Sequence, residues 1–369
     1  MVEKKKIECI YRYRITCYLF SVNIKSRKQT IVQVRARNTT SCLIEIWLWD
    51  DGDRITGELL NIVYIKSINF KIAPQLLKVT IGIPTFNEEQ NILTFLRRLE
   101  ADTSNNYPIS EIIISDDSSD NTPKIIEEYT KNSSMNVRFI HHHERRGAVA
   151  AWNEIFEEST GDIIILYDAD IILGQNCTHE LVSKIQGKIG LCTSNQKPIQ
   201  VRGLIGRASI FIAKWLESIR NRGLSQYTVM GRALSIYSDL AKKISIPNDI
   251  IAIDLYLQCK VIEHGFDIFY NQNALIYFYP ANNMSDFISQ VLRASNGHRQ
   301  IRKYLKRFKV CLSSNVALIE TIRNIYNDPS GALSLFACYT LIPFYMFKLK
   351  GINSSKWHIA KSTKSIGYE

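Results

Sequence analysis

Three apolar runs constrain this chain more than any other feature. They are Val79-Thr80-Ile81-Gly82-Ile83, Glu111-Ile112-Ile113-Ile114-Ser115 and Asp162-Ile163-Ile164-Ile165-Leu166-Tyr167. None alternates with polar residues, as a strand with one wet face would. Continuous runs of this length fit strands covered on both faces. Val137 to Ile140 reads as a fourth, shorter strand, and the Ala-rich stretch Gly147 to Glu158 as a helix stopped near Gly161. The order β-α-β-α-β-α-β from Val79 to Tyr167 demands parallel strands joined by crossover helices. The fold class expected is therefore α/β, a Rossmann-like, doubly wound, mostly parallel sheet.

The strand ends carry the chemistry. Asp168-Ala169-Asp170 follows the third run directly. Ligands bind at the carboxyl ends of strands in open α/β sheets. Two acids one residue apart there can hold a divalent metal and, through it, a diphosphate. The same spacing also occurs in ordinary surface turns. The first run ends in Pro84-Thr85-Phe86-Asn87-Glu88-Glu89. Asn87 with Gln90 suits a capping box for a helix from Glu88 to Glu100. The second run ends in Asp116-Asp117-Ser118-Ser119-Asp120, an Asx-type turn before a helix with Pro123 at its first position.

Taken in order, Pro84-Thr85-Phe86-Asn87-Glu88, Asp116-Asp117-Ser118-Ser119-Asp120 and Asp168-Ala169-Asp170 resemble the family 2 glycosyltransferases. Those are inverting, metal-dependent enzymes of the GT-A fold that use nucleotide-diphosphate sugars. The resemblance covers about residues 78 to 300 and implies Mg²⁺ or Mn²⁺ as cofactor. It implies a nucleotide-sugar site made by Pro84, Thr85, Asn87, Glu88, Asp116, Asp117, Arg146, Asp168 and Asp170. In that site Asp117, with Asp116, accepts an N–H of the base. Thr85 and Glu88 hold the nucleoside side. Arg146 adds positive charge near the phosphates, and Asp168 and Asp170 are the metal ligands.

Asp254 stands where the family has the Asp of a Glu-Asp pair, the base that takes the acceptor's proton. Here the pair reads Ile253-Asp254, so half the motif is missing. Asp254 also suits the first turn of a helix, where the macrodipole favours an acid. Gln290-Val291-Leu292-Arg293 resembles the family's Gln-x-x-Arg-Trp motif, with Ala294 in place of Trp. That change argues against processive synthesis. Gln290, Arg293 and His298 are expected at the acceptor or the leaving diphosphate. A solvated basic helix face would look the same.

The expected organisation is an uncertain, possibly β-rich extension over residues 1–76, a transferase domain over 77–300 and a helical region over 301–369. Arg12 and Arg14 interrupt the apolar core that a signal peptide after Lys4-Lys5-Lys6 would need. The net charge of +11 suits anionic membrane or phosphorylated ligands. No basic-aromatic RNA motif or zinc-finger spacing is present, so nucleic acid is not an expected partner. The eight cysteines include no Cys-x-x-Cys pair and read as reduced thiols. His141-His142-His143 would alternate faces on a strand, which disfavours a shared metal.

The run Gly331 to Phe347 carries no charge and is followed by Lys348, Lys350, Lys356, Lys361 and Lys364. It reads as one membrane helix or a re-entrant segment, holding the protein at the cytoplasmic face of the cell membrane. A buried helix is the alternative. The expected activity is transfer from a nucleotide-diphosphate sugar to a hydroxyl on a lipid-linked or cell-surface glycan. Transfer to a polyprenyl phosphate is one alternative, and a non-catalytic membrane-associated protein is another. A nucleotidyltransferase would need a Gly-rich phosphate loop where Pro84 to Glu89 stands. A dinucleotide oxidoreductase would need Gly-x-Gly-x-x-Gly there.

Overall fold

A computed structural model describes residues 77–346 apart from 104–108, 223–230 and 311–312, with the backbone of five strands between residues 6 and 71. The chain divides into two compact units, Met1–Leu76 and Leu77–Glu369. In the first, β1 (Lys6–Tyr11), β2 (Tyr13–Ser26), β3 (Gln29–Arg35), β4 (Cys42–Ile46) and β5 (Phe70–Lys71) pair in chain order, every ladder antiparallel. Asp50 to Asp53, whose Gly52 would suit a turn, lie outside the described residues.

The second unit is built on β6 (Val79–Thr85), β7 (Ile109–Asp116), β8 (Val137–His141), β9 (Ile163–Tyr167), β10 (Ile171–Leu173), β11 (Ile189–Pro198), β12 (Ala233–Tyr237) and β13 (Asp267–Phe278). Its helices are α1 (Ile92–Thr103), α2 (Thr122–Asn132), α3 (Ala148–Glu158), α4 (Cys177–Ser183), α5 (Leu204–Arg220), α6 (Ser238–Ala241), α7 (Ile253–Glu263), α8 (Met284–Gln300), α9 (Arg302–Arg307), α10 (Ser314–Asn327) and α11 (Pro329–Met346).

The strands form one sheet in the order β10-β13-β11-β12-β9-β6-β7-β8. From β9 to β8 all neighbours are parallel, as the β-α-β pattern demands. The remainder is mixed: β11 and β13 are parallel, and the other three ladders are antiparallel, so the sheet is less uniform than expected. β12 runs antiparallel to both β9 and β11, and β10 antiparallel to β13. This reversal positions the site. Ala233 opens β12 opposite Tyr167, the last residue of β9, so residues 231 and 232 arrive beside Asp168.

The apolar runs are buried on both faces, and adjacent residues serve opposite cores. Ile112, Ile114, Ile163 and Ile165 pack in one cluster with Phe95, Leu96 and Ile126. Ile113, Ile164 and Leu166 pack in the other with Trp152, Ile155 and Phe156. Burying one such side chain is worth about 1.5–3 kcal/mol, so the strands are fixed from both sides. At Gly82 a Cβ would come within 2.3 Å of Ile155 Cγ2, so the residue lets α3 close on the sheet.

One expectation needs correction. The first helix begins at Ile92, not Glu88. Asn87 has a left-handed φ of 54° and does not cap it. Most of Gly331 to Phe347 forms α11, with Pro343 inside it. No helix among the described residues is long and apolar enough to cross a membrane. Phe347 and the following lysines lie outside the described residues.

Candidate active site

Strand register brings Thr85, Asp116 and His141 side by side at the carboxyl ends of β6, β7 and β8. Their side chains bond accordingly. The Thr85 hydroxyl donates to Asp116 Oδ1 at 2.6 Å, Ser118 donates to the same oxygen, and His141 Nδ1 lies 2.7 Å from Asp116 Oδ2. Asp116 is wholly buried. It ties three strand ends together and presents no oxygen to a ligand, which corrects its expected part in accepting a base N–H.

Asp117 is also turned inward. Its Oδ2 accepts the backbone N–H groups of Arg146 and Gly147, each at 2.7 Å, and its Oδ1 accepts Arg146 Nε at 3.3 Å. The Arg146 guanidinium bridges onward to Glu154 at 2.9 Å. Burial tends to raise the Glu154 pKa, but hydrogen bonds from Arg146, Ser115 and His142 outweigh it and hold the carboxyl below its ordinary range. Arg146 therefore arrives with its charge already matched. Its expected contribution at the phosphates would require it to leave Asp117 and Glu154. Glu154 was not singled out in the sequence, because Arg146 and Glu154 sit either side of a loop-to-helix junction, with no regular spacing to link them.

Asn87 links the first loop to the second: its Oδ1 accepts the Ser119 N–H at 2.9 Å, and its own N–H donates to Ser118 Oγ at 2.7 Å. Glu88 is buried, with Oε2 accepting Asn91 Nδ2 at 2.8 Å and its N–H given to Thr122 Oγ1 at 2.8 Å. Pro84, half-buried, pairs in register with Ser115. These residues build a rigid floor at the end of the sheet. His142 points the other way from His141, toward Glu154 at 3.0 Å, as alternation along a strand requires.

The second group gathers at the end of β9. Asp168 and Asp170 lie on the loop between β9 and β10. The Asp168 N–H donates to the carbonyl of Arg232 at 2.8 Å, and Arg232 Nη1 stands 3.6 Å from Asp170 Oδ1. Arg232 also lies over the Phe278 ring, 4.4 Å from its centroid. Asp254, Arg293 and His298 come from α7 and α8. Asp254 and Arg293 influence Asp168, and Arg293 and His298 influence Asp254. Residues distant in sequence thus form one electrostatic cluster. Gln290 lies one helical turn before Arg293 on α8, half-buried.

Desolvation raises the Asp168 pKa to about 7, reinforced by the like charge of Asp170 and opposed by Arg232 and Arg293. Desolvation also raises Asp254, opposed by the Leu255 N–H and by Arg293. Both residues are half-buried, with protein around most of each carboxyl. Arg293 is exposed, and its pKa is lowered by surrounding protein and by Arg232. His298 Nδ1 lies 2.8 Å from the Ala294 carbonyl, which makes Nδ1 the protonated nitrogen in the neutral ring.

The crowded pair Asp168–Asp170 suits a hard cation. Among the described residues no three His, Cys, Asp or Glu groups converge on one metal position. Two carboxylates completed by water and phosphate oxygens are a normal Mg²⁺ or Mn²⁺ set. The donor chemistry therefore fits the expected ion. Arg232, whose charge already compensates Asp170, was not singled out in the sequence, because only the reversed β12 brings it there.

Residues 80–236 match the family described as Glycosyl transferase family 2. This segment is a family 2 glycosyltransferase domain. It holds Thr85, Asp116, Asp117, Asp168, Asp170 and Arg232, whereas Asp254 and Arg293 lie beyond the matched residues. The poly-beta-1,6-N-acetyl-D-glucosamine synthase of Staphylococcus epidermidis is 24% identical over 252 residues, 65% of this chain and 60% of that protein. The chain thus spans less than two thirds of this relative's length. The dolichyl N-acetyl-alpha-D-glucosaminyl phosphate 3-beta-D-2,3-diacetamido-2,3-dideoxy-beta-D-glucuronosyltransferase of Methanococcus voltae is 27% identical over 58% of this chain and 70% of its own. Among solved structures, the mannosyltransferase PcManGT from Pyrobaculum calidifontis, in complex with GDP-Man and Mn²⁺, aligns with a TM-score of 0.49. It is 16% identical, over 73% of this chain and 83% of that one.

Proposed function

We propose that the family 2 domain, with the segment through α8, is a GT-A glycosyltransferase. It moves a sugar from a nucleotide-diphosphate sugar to a hydroxyl acceptor, inverting the anomeric carbon. The observation that carries this reading is the meeting of Asp254 with Asp168, Asp170 and Arg293 at the carboxyl end of β9. The diphosphate and the acceptor must face one another across the anomeric carbon, and the cluster supplies one group for each.

Asp168 and Asp170 would hold the divalent ion. When bound, the ion neutralises charge that builds on the leaving diphosphate. Arg293 stands where it can bond a phosphate oxygen on departure. Asp254 takes the acceptor proton. A carboxyl raised above its ordinary range is a stronger base than a solvated one. The buried bonds through Asp116 and Asp117 hold the strand ends in fixed register, which keeps these groups in position.

Transfer to a polyprenyl phosphate is the second reading. The exposed apolar side of α11 favours a lipid-linked acceptor, and the Methanococcus voltae relative carries a dolichyl-linked sugar phosphate in its name. Such an acceptor is already ionised and needs no base, so the effect of removing Asp254 separates the two. A thermal-shift screen of nucleotide sugars with and without Mn²⁺ tests the proposal. Stabilisation by a donor only in the presence of metal supports it. No response to any donor would favour a non-catalytic protein.

A further inference from the structure

Helix α10 is patterned inside out. Leu318, Ile319, Ile322, Ile325 and Tyr326 form one stripe and are all exposed, Tyr326 by 87%. The opposite stripe faces protein and is polar. Glu320, 1% exposed, takes Arg222 Nε at 2.7 Å. Thr321 Oγ1 accepts Trp215 Nε1 of α5 at 3.0 Å, and Asn324 Nδ2 donates to Ser218 of α5 at 2.9 Å. A helix on a water-soluble domain turns its apolar stripe toward the core. Here the packing is reversed.

Helix α11 repeats the pattern by other means. Its buried positions are small, Gly331, Ser334 and Cys338, at helical spacing. Cys338 packs with Ala208 of α5 and Phe287 of α8. Leu335 and Ile342 pack against the same cluster, but Leu333, Phe336 and Phe344 point away, each more than two-thirds exposed. Small residues between helices and large apolar ones outside are the arrangement expected where the surroundings are lipid.

The charges nearby indicate which lipid. Arg302, Lys303, Lys306, Arg307 and Lys309, immediately before α10, are all exposed. From residue 310 to 346 the only acids are Glu320, which is buried against Arg222, and Asp328, which pairs with Lys214 at 3.6 Å. A second copy of the chain would bring its own cations along with the apolar stripe that follows them in the chain, whereas an anionic surface would complement them.

We propose that α10 and α11 form a monotopic docking hairpin. It lies in the plane of a bilayer containing anionic lipid, with its outer face sunk among the acyl chains and the α9 cations at the headgroups. The inference extends beyond α11 to α9 and α10 and does not depend on the transferase reading. No helix among the described residues is both long and apolar enough to span.

Flotation of the full chain tests it, with vesicles of phosphatidylcholine alone or mixed with phosphatidylglycerol. The protein should float with the mixed vesicles and bind them more than the neutral ones. The double variant Ile322→Glu, Phe336→Glu should lower binding to both by about tenfold or more. Both sites are exposed, so its circular dichroism and thermal midpoint should match the parent. The pair Lys303→Glu, Lys306→Glu should weaken binding to mixed vesicles only. Failure to float with either composition would overturn the proposal, as would binding unchanged in the Ile322, Phe336 variant. A reversible dimer in sedimentation, abolished by the same variant while vesicles are ignored, would assign the face to a second copy instead.

Discussion

Arg232 holds its guanidinium 3.6 Å from the Asp170 carboxylate and stacks over the Phe278 ring at 4.4 Å. It supplies the positive charge that two crowded carboxylates need in the absence of a cation. Arg232→Met keeps the ring contact and removes the charge. The unliganded protein should lose stability by about 1–3 kcal/mol, since a partly buried charge loses its partner. Added Mn²⁺ should restore more of the thermal midpoint in this variant than in the parent. An unchanged midpoint would mean that the pair contributes nothing.

Asp254 sets an acid limb. Desolvation raises its pKa above the ordinary carboxylate range, so the ionised base is lost as pH falls through that raised value. In kcat/KM against pH, the acid limb should lie above that of a solvated aspartate. Stability runs in the opposite direction. A carboxyl whose folded pKa is raised contributes most below its unfolded pKa and loses that contribution as pH rises through the folded one. Asp254→Asn should lower turnover by roughly 10² to 10⁴ and remove this limb, with little change in donor affinity. Full turnover in the variant would point to a phosphate acceptor.

Legibility in the sequence followed how local each cause was. Ile112, Ile113 and Ile114 announced a strand covered on both faces because alternate side chains must find opposite cores. Asp168 and Asp170 announced a ligand site because a strand end is a fixed place in such a sheet. The direction of β12 was not legible, since nothing within Ala233 to Tyr237 states which neighbour it joins or which way it runs. Arg232 was hidden for that reason. Asp116 was legible as a loop acid but not as a buried one, because its three partners come from three strand ends. The same limit applies to α10, whose apolar stripe would pass for a core face until Glu320 is seen on the protein side.

Asp116 is expected to act through the fold. Asp116→Ala would strand the Thr85 and Ser118 hydroxyls and the His141 ring. A cost of about 3–5 kcal/mol is expected, because the buried group had several charge-assisted partners. Urea denaturation would measure it. Donor-base preference should remain as in the parent wherever the variant is folded. An altered preference with unchanged stability would return Asp116 to the nucleotide site.

Gly231 brings the loop before β12 against α7. A Cβ there would meet Trp152 Cη2 at 3.1 Å and Asp254 Cβ at 3.5 Å. Gly231→Val should crowd both and displace the start of α7. A loss of about 1–3 kcal/mol in stability is expected, with a fall in kcat that exceeds any change in donor affinity. Equal kcat in the variant would show that Asp254 does not depend on this packing.

The most direct test of the transferase account is release of nucleoside diphosphate from the donor that the thermal-shift screen selects. Purified full-length protein would be assayed with Mn²⁺, with excess chelator, and as Asp170→Ala. The account predicts release with Mn²⁺, its loss on chelation, and near-complete loss in Asp170→Ala at an unchanged or higher thermal midpoint. Release at the parent rate in Asp170→Ala, or release unaffected by the chelator, would contradict it.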